Sequence, residues 1–138
     1  MQINEDKIVD DFALFNTWEE KYEYLIELGG DIALIRPEKK TPEHLIHGCQ
    51  SRVWLDCEKR GGRLYFYGDS DALISRGLVA LIIKLFSGSK PLEIVKYNNG
   101  VFEKIKLNQH LSMTRSNGLI MMIKQIKKYA QKNLLDHE

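Results

Sequence analysis

Cysteine is scarce in this 138-residue chain, which has two, Cys49 and Cys57. The segment between them reads as mostly extended, at roughly 3.3 Å per residue, so their sulfurs are held too far apart to bridge. Both are expected to be free thiols in a reducing, cytoplasmic compartment. No C-x-x-C or H-x-x-x-H pair occurs, and His44, His47, His110 and His137 fall at no standard zinc spacing with the cysteines. Long apolar runs are also missing. The longest, Leu78 to Ile83, ends at Lys84, far short of the roughly 20 residues that cross a bilayer. The start of the chain, Met1 to Asp6, is polar and acidic where a secretory leader would be basic and then apolar. Neither sign of charge prevails: 20 Lys and Arg stand against 19 Asp and Glu, a formal net charge of +1. Neither nucleic acid nor a membrane is therefore an expected partner. No phosphate-loop pattern is present either.

What remains is the composition of an ordinary folded domain, 43% apolar and 28% charged. At this length a chain buries roughly two-thirds of its unfolded surface, and one domain over residues 1–138 is expected, with no internal repeat. Ile8, Val9, Phe12 and Phe15 share a face and predict a helix over 4–15. Thr17, with Glu20 reaching back to it, opens a second helix whose apolar stripe is Trp18, Tyr22, Leu25 and Ile26, and Gly29-Gly30 is read as its stop. The charged stretch Arg36-Pro37-Glu38-Lys39-Lys40 reads as an exposed connection, and Pro42 suits the start of a short helical turn.

Beyond it, Val53, Leu55 and Cys57 alternate with Trp54, Asp56 and Glu58, the period of a half-buried strand. Gly61-Gly62 folds that strand back onto Leu64 to Tyr67 as a hairpin. Asp69-Ser70-Asp71 is read as N-cap chemistry for an apolar core helix running from Leu73 through Ile74, Leu78, Leu81, Ile82 and Leu85 to Phe86. Gly88 ends it, Pro91 opens a short helix over 92–95, and Asn98-Asn99-Gly100 turns. The run 101–107 fits loop, strand or helical turn alike. A last helix over 116–134 is expected to place Leu119, Ile120, Ile123, Ile126 and Ala130 inward and Lys124, Lys127, Lys128 and Lys132 outward. The fold class is α+β, a small antiparallel sheet packed against several helices.

The two cysteines need separate explanations. Cys57 falls on the apolar face of its strand and reads as a small core residue. Cys49 lies outside any apolar alternation, on a bend that Gly48 permits, with His47 and Arg52 nearby. Such a thiol is either a buried structural residue or a reactive thiolate. A cysteine hydrolase would need a histidine such as His110 brought to Cys49 by the fold, together with an orienting residue. An iron-sulfur scaffold would need more thiolates than two.

Four stretches taken together resemble the SufE family of sulfur acceptors: Gly48-Cys49-Gln50-Ser51-Arg52-Val53-Trp54, Gly68-Asp69-Ser70-Asp71-Ala72, Arg76-Gly77-Leu78 and Thr114-Arg115-Ser116-Asn117-Gly118-Leu119. The resemblance covers nearly the whole chain. It implies an α+β domain similar to the IscU-type scaffold fold, with sulfane sulfur taken from the persulfide of a SufS-type cysteine desulfurase and passed to a SufBCD-type complex that builds iron-sulfur clusters. By the same resemblance the acceptor is Cys49, and Arg115 is the arginine expected to approach it and favour the anionic sulfur, with His47 or Arg52 as helpers. Pyridoxal phosphate belongs to the desulfurase, so this chain is expected to bind no cofactor or metal, as a monomer or homodimer. Met113-Thr114 stands where family members often carry Pro-Ser. The cysteine loop is expected to be shielded in the free protein and to move outward on the desulfurase, with Trp54 read first as a core residue and otherwise as the loop's anchor.

Overall fold

In the computed structural model, which describes residues 1–135, two glycines set the register of the sheet. Gly61 and Gly62 take φ of +59° and +78°, the left-handed values that a two-residue hairpin turn demands and side chains resist. They fold β1 (Val53–Arg60) antiparallel onto β2 (Arg63–Ser70), pairing Arg60 with Arg63 and Val53 with Ser70. Each edge is covered in part. The amide of Ile35 and the carbonyl of Ala33 bond Gly68 on the β2 side, and Leu45 bridges to Trp54 on the β1 side, which lessens the hazard of open strand edges.

Helices pack on one face of this hairpin. They are α1 (Gln2–Ala13), α2 (Trp18–Gly30), α3 (Leu73–Phe86), α4 (Pro91–Lys96), α5 (Gly100–Lys104) and α6 (Met113–Leu135). The centre is α3, buried nearly all round through Leu78, Leu81, Ile82, Leu85 and Phe86 and packed on α1, α2, β2 and α6. Val53, Leu55, Leu64 and Phe66 close the core from the sheet. None of the described helices is long and apolar enough to cross a membrane.

Several expectations change. The hydroxyl of Thr17 accepts from the Glu20 amide at 3.2 Å, the cap as read, but the Glu20 carboxylate reaches back to that hydroxyl and not to the Thr17 amide, so the capping box is only half made. Gly29 does not stop α2 by a left-handed turn; it is buried against α3, where an added Cβ would lie 3.1 Å from the Gly77 nitrogen. Asp69-Ser70-Asp71 does not cap α3, whose N-cap is Ala72 without a side-chain bond, because β2 runs on through Ser70 and turns these side chains elsewhere. The run 101–107 resolves into α5 and a turn. The last helix starts three residues early, at Met113, and Ile120 is 51% exposed instead of inward. Leu73 and Ile26 are also exposed. His137 lies outside the described residues.

Candidate functional site

The segment 46–53 is a loop closed at its base. The Ile46 amide donates to the Val53 carbonyl at 2.8 Å, just before β1 begins. Its outgoing stem is held by the three polar residues that leave α3 uncapped. The Asp71 carboxylate accepts from the Arg52 amide at 3.0 Å, and the Ser70 hydroxyl donates to the Arg52 carbonyl at 2.8 Å. Asp69 sits beneath, 4% exposed, paired with Arg76 Nε at 2.8 Å and with Lys40. Burial opposes its charge, but the Lys40 ammonium, the Ser70 amide and Arg76 outweigh that and hold its carboxyl below the ordinary range. Arg76 also donates to the Ser70 carbonyl. The loop therefore stands on a satisfied, charged footing.

At the tip, Gly48 takes φ +91° and lies on Met121 of α6, where an added Cβ would come 3.1 Å from Cγ. The left-handed backbone requires glycine there, with the flexible Met121 side chain packed close against it. The next residue turns inward. Cys49 Sγ donates to the carbonyl of Gly118 on α6 at 3.7 Å, and Gly118, buried and without a side chain, leaves that space open. Cys49 thus faces a cavity of about 300 Å³ between the loop, the start of α3 and the first turns of α6. Val53, Ile74, Leu78 and Met122 line its walls, and the exposed Leu73 and Arg115 stand at its rim.

This geometry brings Cys49 and Arg115 to one cavity and separates them from the proposed helpers. His47 and Arg52 are exposed and outside its lining, and Arg52 serves through its backbone. The expectation of a thiolate is corrected: burial pushes the Cys49 thiol up, and the free protein favours the neutral form. Trp54 is half-buried on the outer face of β1 beneath Lys40, whose Nζ lies 5.1 Å from the ring centroid. It anchors the loop only through the backbone bridge of its own residue to Leu45. Cys57 packs against the core opposite Phe66. Its thiol is pushed up to about 12 by burial first and then by Asp56 and Glu58, an inert setting.

His110 stacks on Trp18 with ring centroids 3.8 Å apart, outside the lining of the Cys49 cavity, and His44 is engaged by Asp56 and Thr41. The hydrolase arrangement is therefore not assembled around Cys49 among the described residues. Among the described residues no group of three or more His, Cys, Asp or Glu side chains converges in a metal-holding cluster. Sequence reasoning missed the Lys40–Asp69–Arg76 footing, Met121 and the use of the Gly118 carbonyl. The run Gly68-Asp69-Ser70-Asp71 is the visible signal, and a local reading assigns it to capping.

Comparison with known proteins adds four findings. Residues 6–130 match the SufE family model, described as an Fe-S metabolism associated domain. An uncharacterised SufE-like protein of Rhizobium meliloti is 42% identical over 134 residues, covering 94% of this chain and 96% of the relative. Another, of Rhizobium etli, is 43% identical over 131 residues, covering 91% and 88%. The solution structure of a hypothetical protein from Thermus thermophilus superposes with a TM-score of 0.80 over 96% of both chains at 16% identity, a likeness of fold.

Proposed function

The chain belongs to the SufE family, associated with iron-sulfur metabolism, and on that premise we propose that it is a sulfur acceptor. Cys49 takes the terminal sulfur from the persulfide of a SufS-type cysteine desulfurase and hands it to a SufBCD-type assembly complex. Pyridoxal phosphate chemistry stays on the partner. The observation that carries this reading is the placement of Cys49: a lone thiol at a glycine hinge, on a braced loop, facing a cavity of mixed apolar and polar lining with an arginine at its rim.

The step needs little from this chain. Cys49 loses its proton, its sulfur forms a bond to the donor's terminal sulfur, and the donor S–S bond breaks with its electron pair on the donor cysteine, which takes up a proton. One thiol and one persulfide are consumed and one of each is produced, so no oxidant or metal is required. Because burial disfavours the thiolate in the resting loop, the attack belongs to an outward position reached on the partner. The cavity walls, Val53, Ile74, Leu78 and Met122 among them, shield the resting thiol until the loop moves out.

The test is incubation with the desulfurase encoded by the same organism and cysteine, followed by intact-mass and peptide mass spectrometry. A gain of one sulfur atom on Cys49, absent from Cys49→Ala, is the expected result. No gain with a demonstrably active partner would sink the reading.

A further inference from the structure

The Gly118 carbonyl is already a helix acceptor, and it faces Cys49 Sγ at 3.7 Å across a space that no side chain fills. A carbonyl can receive only a donor, and a neutral thiol has one proton to offer. A thiolate or persulfide anion has none, so the same contact would set two acceptors against each other in a half-buried site. We propose that Gly118 is a positioning residue for the sulfur-transfer cycle: its carbonyl latches the Cys49 loop inward while the sulfur is neutral and drives it outward once the sulfur is anionic. This rests on the acceptor reading of Cys49 and adds to it what moves the loop.

Three further observations support it. Gly118 is buried and Arg115, one turn earlier on α6, is exposed, so the carbonyl lies at the inner end and the cation at the mouth. An anion is pushed from the carbonyl toward the solvated mouth. Among the described residues that line the cavity no other charge faces the sulfur: α3 contributes Leu73, Ile74, Ser75 and Leu78, β1 contributes Val53, and the loop's own Gln50 and Ser51 are uncharged. Finally, Gly48 supplies the pivot, and what it lies against is the flexible end of Met121. Burial of the thiol acts in the same direction. A persulfide is more acidic than the thiol that accepts the sulfur, so loading itself supplies the charge: the neutral resting protein is closed, and the charged, loaded protein presents its cargo.

Hydrogen exchange of the loop amides at one fixed pH, followed by mass spectrometry on the full chain, tests this with an isosteric pair. Cys49→Asp is expected to speed exchange over 46–53 about tenfold or more, whereas Cys49→Asn and Cys49→Ser stay within about twofold of the wild type. Exchange in α3 and α6, unchanged in all three, reports that the fold is intact. Wild-type protein loaded with sulfur should behave as Cys49→Asp does. Equal exchange in the Asp and Asn variants, or a loaded protein as protected as the resting one, would overturn the latch. Failure of the desulfurase to load Cys49 while the Asp and Asn variants still differ would leave the latch standing and remove the acceptor reading instead.

Discussion

Arg115 and Cys49 share a cavity without sharing a proton equilibrium. In the resting loop the sulfur is governed by burial, which raises its pKa, while the guanidinium stands exposed at the rim. An exposed charge is largely screened by water, so its influence grows only where a partner excludes solvent. Arg115→Ala is accordingly expected to leave the pH midpoint of Cys49 alkylation in the free protein unchanged. Sulfur transfer from the desulfurase should fall about tenfold, a loss near 1.4 kcal/mol of transition-state stabilisation. Alkylation rates against pH and single-turnover sulfur transfer check the two halves. A midpoint that rises in the variant would show that the arginine already stabilises the resting thiolate.

At the scale of elements, α3, whose start lines the Cys49 cavity, is packed closely against α2. Gly77 has no room for a side chain: an added Cβ would lie 2.3 Å from the Leu25 carbonyl oxygen, a backbone atom that cannot step aside. Gly77→Ala must push the helices apart, and overpacking of this kind costs about 3 kcal/mol. Urea titration should show that loss. Gly30→Ala on the same pair of helices, where a Cβ meets nothing within 4 Å, should cost nothing or stabilise. These elements differ in how far the sequence announces them. The hairpin was legible because Gly61-Gly62 leaves one economical turn, and α2 because Thr17 and Glu20 satisfy each other locally. Cys49 and Arg115 were legible as motifs. The clamp of Asp71 and Ser70 on Arg52 was not, since it depends on β2 continuing to Ser70 and bringing residues 18 and 19 positions apart into contact. A local reading gives such side chains to the nearest helix start. Gly77 escaped for a related reason: a glycine inside a helix shows its purpose only when the neighbouring helix is present.

Across the whole molecule, ionisable groups tied into the fold confine its stability to a window of pH. Glu5 on α1 is 4% exposed and accepts from Lys104 of α5, at 2.7 Å, and from Tyr97. The Lys104 bond leads the causes that hold its carboxyl below the ordinary 4.5, with Tyr97 next and burial opposing. Because the unfolded chain then binds a proton before the folded one, stability is full above pH 4.5 and declines as pH falls through the folded value. Asp69 has the same sign. At the other end, burial raises Cys57 to about 12 from an ordinary 9.0, and Tyr129 to about 12 from 10.0. There the unfolded chain loses its protons first, so stability present below about pH 9 declines as pH rises toward 12. Urea unfolding from about pH 3 to 11 should therefore trace a plateau between about 5 and 9 with a fall on either side. Glu5→Gln should lower the plateau and flatten the acid limb, and should soften the alkaline limb as well because the Glu5 carboxylate raises Lys104 and Tyr97, whereas Cys57→Ala should flatten the alkaline limb alone. An acid limb as steep in Glu5→Gln as in the wild type would mean that the Glu5–Lys104 tie, which fastens α5 to α1, does not carry the acid sensitivity of the fold.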